Sequence, residues 1–225
     1  MTKKKNTSKK NNLKLIFCTS KNSWIIEYLK FFLKDLKKKY QVKLIYLHKN
    51  LKKNNDIIFY LGYDKLVSSK YLSLSKINLV VHESDLPKDK GWSPVTWGVL
   101  KGKVQFTATL FKPNDRVDSG NFFLKKKFII HKDCLIDEIR QKQFKATKYL
   151  INKFLRRYPE ILKKEIKQKG KTNFLKKRTP KDSKININKS IISQFDHLRT
   201  LDTKRYPGWF ILRGKKFKIF IDKFK

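Results

Sequence analysis

The chain has 225 residues, 40% of them hydrophobic and 13% aromatic, which is enough to bury a real core and too much for a disordered polymer. Its formal net charge of +38 excludes an acidic or balanced surface and attracts phosphorylated partners. Only eight of its 56 basic residues are arginine, the side chain suited to bidentate phosphate and guanine contacts, so the charge reads first as a solvated lysine surface.

Residues 1–12, MTKKKNTSKKNN, are basic and polar with no adjoining apolar run of signal-peptide type, and read as a disordered tail. LKLIFCTS (13–20) suits a buried first strand. In 24–40 Ile25, Ile26, Leu29, Phe32, Leu33 and Leu36 recur at helical spacing, with Asn22 and Ser23 placed to cap. QVKLIYL (41–47) and DIIFYLGY (56–63) are further strands, 64–75 is a short helix, and INLVVHE (77–83) is a fourth strand. This alternation implies βαβ units: an α/β fold with a Rossmann-like, mostly parallel sheet flanked by helices, whose ligands collect beyond the carboxyl ends of the strands. His82 stands at such an exposed end.

SPVTWGVLKG (93–102) suits a helix with Pro94 in its first turn and Gly102 past its end. QFTATLFK (105–112) and FFLKKKFII (122–130) are strands separated by the turn-rich PNDRVDSGN. Residues 133–169 are helical in pattern, with a break at Tyr158-Pro159, and 170–188 form a polar connection. KSIISQFDHLRTL (189–201) reads as a helix, and 208–223 as a hairpin turning at Arg213-Gly214. The C-terminal part is thus a small helix-plus-β-hairpin appendage. Cys18 and Cys134 lack metal-ligand spacing and fit a reducing compartment, and no run is long enough for a membrane helix, so a cytoplasmic location is expected.

One stretch carries more than fold. NLVVHESDLPKDKGWSPVTW (78–97) sets His82 before a Glu-Ser-Asp cluster, a Leu-Pro turn and a glycine, and Asp118-Ser119-Gly120 follows. With His82, Ser84, Leu86, Pro87, Gly91, Pro94 and that D-x-G, residues 78–122 resemble the formyltransferases that use 10-formyltetrahydrofolate. That family includes methionyl-tRNA formyltransferase and the sugar N-formyltransferases. RTPKDSKIN (178–186) and the later YPGWF look like the C-terminal part of the sugar enzymes.

The resemblance implies a catalytic pair, His82 and Asp118. It implies folate contacts from Gly62, Tyr63, Leu86, Pro87, Arg116 and Val117, and acceptor contacts from Glu83, Ser84, Lys88, Lys90, Trp92 and Ser93. It implies 10-formyltetrahydrofolate as co-substrate and no metal. Two positions depart from the pattern: the family's loop arginine is Lys90, and its asparagine two residues before the histidine is Val80. Asn78 cannot take that place, since four residues of strand put it roughly 13 Å from His82. The chemistry itself calls for a histidine as proton relay and for a carboxylate on its other nitrogen to set the tautomer and support the imidazolium. Glu83 and Asp85 read equally as loop caps or as groups that meet an incoming amine, and Trp92 as core or platform.

The expected organisation is a tail (1–12), a formyltransferase catalytic domain (13–170) and the appendage (171–225). About 40 residues follow RTPKDS, enough for a helix and a hairpin and too few for the barrel domain that the tRNA enzyme adds. The expected acceptor is therefore a nucleotide-linked amino sugar. Methionyl-tRNA is the alternative, and a non-catalytic basic nucleic-acid-binding module is the third reading. Non-specific nucleic-acid binding and a homodimer are compatible with all three.

Overall fold

β1 (Lys14–Cys18) is buried from Leu15 onward, as an uninterrupted apolar run requires of a strand covered on both faces. In the computed structural model, which describes residues 12–224, it is central to a parallel array. The expected basic tail lies, apart from Asn12, outside the described residues. α1 (Ile26–Lys37) buries Leu29, Phe32, Leu33 and Leu36. Phe17 stacks on Phe59 at 5.0 Å between ring centroids and meets the edge of Phe32 at 6.3 Å. The helix begins at Ile26 with Ile25 in the N-cap position, so Asn22 and Ser23 stand too early to cap it; the Ser23 N–H instead closes a turn onto the Ser20 carbonyl. β2 (Gln41–Ile45), β3 (Asn55–Tyr60) and β4 (Ser75–His82) complete the parallel order β2-β1-β3-β4. The helix expected over 64–75 is one turn, α2 (Ser69–Leu72).

Backbone proximity divides the chain into two compact units, one running to Val81 and including 112–116, the other holding 82–111 and 117 onward. In the second unit β5 (Lys90–Gly91) precedes α3 (Pro94–Leu100), and β6 (Gln105–Phe111) pairs antiparallel with β7 (Phe122–Ile129). α4 (Ile136–Arg157) is the long helix. It starts where Glu138 accepts the Leu135 N–H at 2.8 Å, and it ends before Tyr158-Pro159 with Arg156 and Arg157 in its last turn. Beyond it the expected polar connection contains β8 (Phe174–Leu175), paired parallel with β5. The helix expected over 189–201 reduces to a 3₁₀ turn and α5 (Phe195–Leu198). β9 (Gly208–Leu212) and β10 (Lys215–Ile219) form the hairpin, with Arg213 and Gly214 both at positive φ as a tight primed turn needs. The fold is thus the α/β class with a mostly parallel sheet, flanking helices and a small C-terminal hairpin.

The C-terminal element is held by a small core of Ile185, Leu198 and Leu201 against Phe210, Ile219 and Ile221, and by one carboxylate. Asp202 is buried; its carboxylate pairs with Arg140 of α4 and with Arg205, and accepts the Lys204 and Arg205 N–H groups. Burial alone would raise its pKa, but the Arg205 hydrogen bond and the Arg140 charge and hydrogen bond overcome this and hold it at about 2, from 3.8. A carboxylate depressed on folding stabilises the protein above its unfolded pKa, and that stability disappears as pH falls through the folded value. The shift corresponds to on the order of 2 kcal/mol. Asp202→Asn is therefore expected to lower the denaturation midpoint at neutral pH, with the gap to wild type closing between about pH 4 and pH 2. Urea titrations of both proteins across that range measure it; a gap independent of pH would show that the charge plays no part.

Candidate active site

β4 delivers His82 by the two-residue period of a strand: Asn78, Val80 and His82 share one face. Val80 packs against a cluster of Ile16, Cys18, Ile45, Ile58, Tyr60 and Val67. Asn78 donates to the Leu72 carbonyl at 2.6 Å and accepts from the Tyr60 hydroxyl at 3.4 Å, so its amide is engaged away from the strand end. His82 is not an exposed residue, as its strand-end position suggested, but only 7% accessible.

The second unit arranges the pair as follows. His82 Nε2 lies 2.9 Å from the Asp89 carbonyl. A carbonyl only accepts, so the proton is on Nε2 and the lone pair of the neutral ring is on Nδ1. Nδ1 faces Asp118 Oδ2 at 3.7 Å, an ion-pair distance too long for a hydrogen bond. The same Oδ2 accepts the Gly91 N–H at 2.8 Å. The tautomer expected to be set by Asp118 is therefore set by a backbone carbonyl, and Asp118 is left to support positive charge on Nδ1. A proton donor placed at Nδ1 meets a base and a carboxylate together.

Four loop residues here have positive φ: Asp89 (53°), Gly91 (94°), Ser93 (51°) and Asp118 (47°). At Gly91 a Cβ would lie 2.6 Å from the Leu175 carbonyl, so the β5–β8 pairing leaves no room for a side chain. The segment after α4 acts as a strap across these loops. Ile166 exchanges both backbone hydrogen bonds with Phe122, and Gln168 Nε2 donates to the Asp118 and Gly120 carbonyls at 3.0 and 2.6 Å. Thr172 donates to the Pro87 carbonyl, Asn173 binds Asp89, and the Trp92 N–H reaches the Leu175 carbonyl.

The other predicted residues are distributed unevenly. Ser84 is buried, its hydroxyl donating to the Lys88 carbonyl at 2.7 Å and its own carbonyl held by Thr109. Lys90 is buried, with Nζ 3.0 Å from the Ser119 hydroxyl. Lys125 binds Asp85 and the Leu86 carbonyl, which ties down the loop around the cis Leu86-Pro87 bond. Leu86 is buried and Pro87 half-buried; Lys88 and Ser93 are exposed, and Trp92 is half-buried with Lys177 over its ring at 4.4 Å. Val117 is exposed in this unit. Gly62, Tyr63 and Arg116 belong to the first unit, where the Tyr63 hydroxyl is taken by the His48 N–H and Nδ1 at 3.1 and 2.6 Å.

Glu83 is half-buried, and desolvation raises its pKa; nearby Asp118 raises it further, while the charge of His82 opposes both. Gln168, Asn173, Asp89 and Thr109 had no signal in the sequence: Asn173 and Asp89 are 84 positions apart, and only the return of the chain after α4 joins them. Among the described residues no cluster of three or more His, Cys, Asp or Glu could hold a metal. No helix is long and apolar enough to cross a membrane among those residues.

The formyl transferase family profile matches residues 19–154, more than half of the chain, and the chain belongs to that family. The bifunctional polymyxin resistance protein ArnA of Wigglesworthia glossinidia brevipalpis is 32% identical over 160 residues, which are 69% of this chain and 24% of that protein. The chain spans about half the length of the curated methionyl-tRNA formyltransferases it matches. The same fold is present in the methionyl-tRNA formyltransferase from Clostridium thermocellum, with a TM-score of 0.76 and 22% identity over 95% of this chain and 94% of that one. It is present also in the N-formyltransferase from Helicobacter canadensis in complex with folinic acid and dTDP-3-aminofucose, with a TM-score of 0.66 and 19% identity over 92% and 87%.

Glu83 gives a test by pH. An acid whose pKa rises on folding disfavours the folded state above its unfolded pKa, because the unfolded chain ionises first. Glu83→Gln is expected to raise the melting temperature at pH 7–8, with the gain vanishing toward about pH 4. Differential scanning of the two proteins over that range reads the effect, and a gain that persists at pH 4 would mean that the carboxyl's ionisation is not the cause.

Proposed function

We propose that this chain is an N-formyltransferase that moves the formyl group of 10-formyltetrahydrofolate to the primary amine of a nucleotide-linked amino sugar. The observation that carries the transfer chemistry is the His82–Asp118 pair, with Nε2 committed to the Asp89 carbonyl and Nδ1 turned to the carboxylate.

10-Formyltetrahydrofolate supplies an activated formyl carbon and a nitrogen leaving group. Exposed Val117, half-buried Pro87 and the carbonyls of this polar loop are of the chemical kind that holds such a molecule, although the Leu86 carbonyl is already taken by Lys125. An attacking amine must lose a proton, and Nδ1 of His82 is the free base positioned to accept it. Asp118 then lies 3.7 Å from the new positive charge and stabilises it without taking the proton. The imidazolium can return that proton to the leaving nitrogen. Val80 offers no hydrogen-bond donor, so the negative charge that develops on the carbonyl oxygen falls to the imidazolium and to backbone amides.

His82→Asn should abolish formyl transfer, and Asp118→Asn should slow it on the order of 10²-fold or more, with both variants folded. Rates are read from single-turnover release of tetrahydrofolate. Near-wild-type turnover in His82→Asn would remove the central assignment.

The sugar acceptor is supported by the likeness to the Helicobacter canadensis enzyme over nearly its whole chain. The second reading, a methionyl-tRNA formyltransferase, is favoured by the higher TM-score to the Clostridium thermocellum enzyme and by the basic charge. Salt separates them. Lysine contacts to a tRNA backbone weaken steeply with salt through counterion release, whereas an acceptor with two phosphates has a KM that responds little. Labelled formyl transfer is expected to members of a panel of nucleotide-linked amino sugars and not to methionyl-tRNA at near-physiological salt. Efficient labelling of the tRNA alone would overturn the sugar reading.

A further inference from the structure

The peptide unit between Asp89 and Lys90 is planar and trans, so its carbonyl and its N–H point in opposite directions. The Lys90 N–H donates to the Asn173 carbonyl at 3.0 Å, and the opposite end of the unit, the Asp89 carbonyl, meets His82 Nε2 at 2.9 Å. Whatever holds one end aims the other. Asp89 reaches this orientation at φ 53°, a conformation that non-glycine residues adopt at a cost and keep only when the surroundings hold it. Asn173 supplies that hold twice over. Its Oδ1 accepts the Asp89 N–H at 2.9 Å, and its Nδ2 donates to Asp89 Oδ1 at 2.9 Å; Lys103 takes the remaining carboxylate oxygen at 3.1 Å.

We propose that Asn173 is a positioning residue for His82: through the Asp89 peptide it keeps the proton on Nε2 and so keeps Nδ1 free to act as base. This rests on the reading of His82 as the proton acceptor. Asn173 touches neither substrate nor imidazole. It acts by the donor and acceptor order of its carboxamide, one N–H to a carboxylate and one oxygen to an amide. Freed from the carbonyl, the imidazole loses the partner that distinguishes its two nitrogens, and a fraction of molecules present an Nδ1–H to the amine and cannot accept its proton.

The order of donor and acceptor can be exchanged, which separates positioning from mere structure. Asn173→Asp puts two carboxylates against each other and is expected to lower kcat about tenfold or more, with KM for both substrates within about twofold of wild type. Asp89→Asn combined with Asn173→Asp reverses the pair. The carboxamide introduced at position 89 then donates to the carboxylate introduced at position 173, and that carboxylate still accepts the backbone N–H of position 89. This double variant is expected to recover kcat to within about threefold of wild type. The spectroscopic arm needs no turnover. Long-range ¹H–¹⁵N spectra of His82 recorded at alkaline pH, assigned by loss of its signals in His82→Asn, should show one Nε2–H tautomer in the wild type. They should show averaged nitrogen shifts in Asn173→Asp and the single tautomer again in the double variant. An unchanged tautomer in Asn173→Asp would overturn the proposal, as would a slow single variant that the exchange leaves slow. If His82→Asn itself turns over normally, the catalytic reading is lost, and the tautomer spectra still decide whether Asn173 orients the ring.

Discussion

A histidine buried at the end of a strand must place its ring N–H somewhere, and in this protein it goes to the carbonyl of Asp89. That single bond decides which nitrogen faces Asp118, and the surrounding loop is built to make it. The loop must bend back far enough to bring a main-chain carbonyl under the imidazole, which costs positive φ at Asp89, Gly91 and Ser93. The strain is offset by hydrogen bonds from the strap that follows the long helix: β8 pairs with β5, Thr172 holds Pro87, and Asn173 takes the Lys90 N–H on its carbonyl and the Asp89 N–H on its carboxamide oxygen. The same strap reaches Asp118 through Gln168. Both members of the pair are thus referred to one short stretch of chain.

The electrostatics of the site follow from what that scaffold leaves unpaired. Asp85 is neutralised by Lys125 and Asp89 by Lys103, so the loop carboxylates with basic partners are the outer ones. Glu83 and Asp118 are the inner ones, flanking His82, and Glu83 responds to desolvation by holding its proton more tightly. For the proposed reaction this arrangement suits an acceptor that is an ammonium ion in water and has to become an amine before it can attack. The Asp118 carboxylate draws the cation in, its first proton leaves to solvent, and the free imidazole nitrogen takes the second as the amine attacks. The lysine-rich surface works on a longer range, where phosphates of a nucleotide or of RNA would feel it, and it is screened by salt.

The parallel strands and the long helix were legible in the sequence because their signals are local. Leu15 to Cys18 form an apolar run, Leu29, Phe32, Leu33 and Leu36 recur at helical spacing, and Tyr158-Pro159 marks the end of the long helix. His82 and Asp118 were legible because the intervening Leu86-Pro87 and Gly91 make a recognisable pattern. The short elements were not. The segments 64–75 and 189–201 carry helical patterns, yet only single turns form, since so short a helix gains too little from its own hydrogen bonds to persist against loop packing. The polar composition of 170–175 gave no hint of a strand, because β8 is two residues long and is held by its partner backbone and not by its side chains.

By itself, then, the order of residues determined the kind of fold and singled out His82 and Asp118 as candidates, because fold and pattern alike are written in local runs and short spacings. Only the tertiary structure decided how that pair is arranged. The tautomer depends on a carbonyl seven residues from the histidine, the carbonyl depends on a carboxamide 84 residues further on, and the histidine is buried and not exposed because the loop closes over it. Such contacts leave no periodicity behind. They arise where a chain that has gone away along α4 comes back and pairs its backbone and side-chain groups with those of a loop far away in sequence.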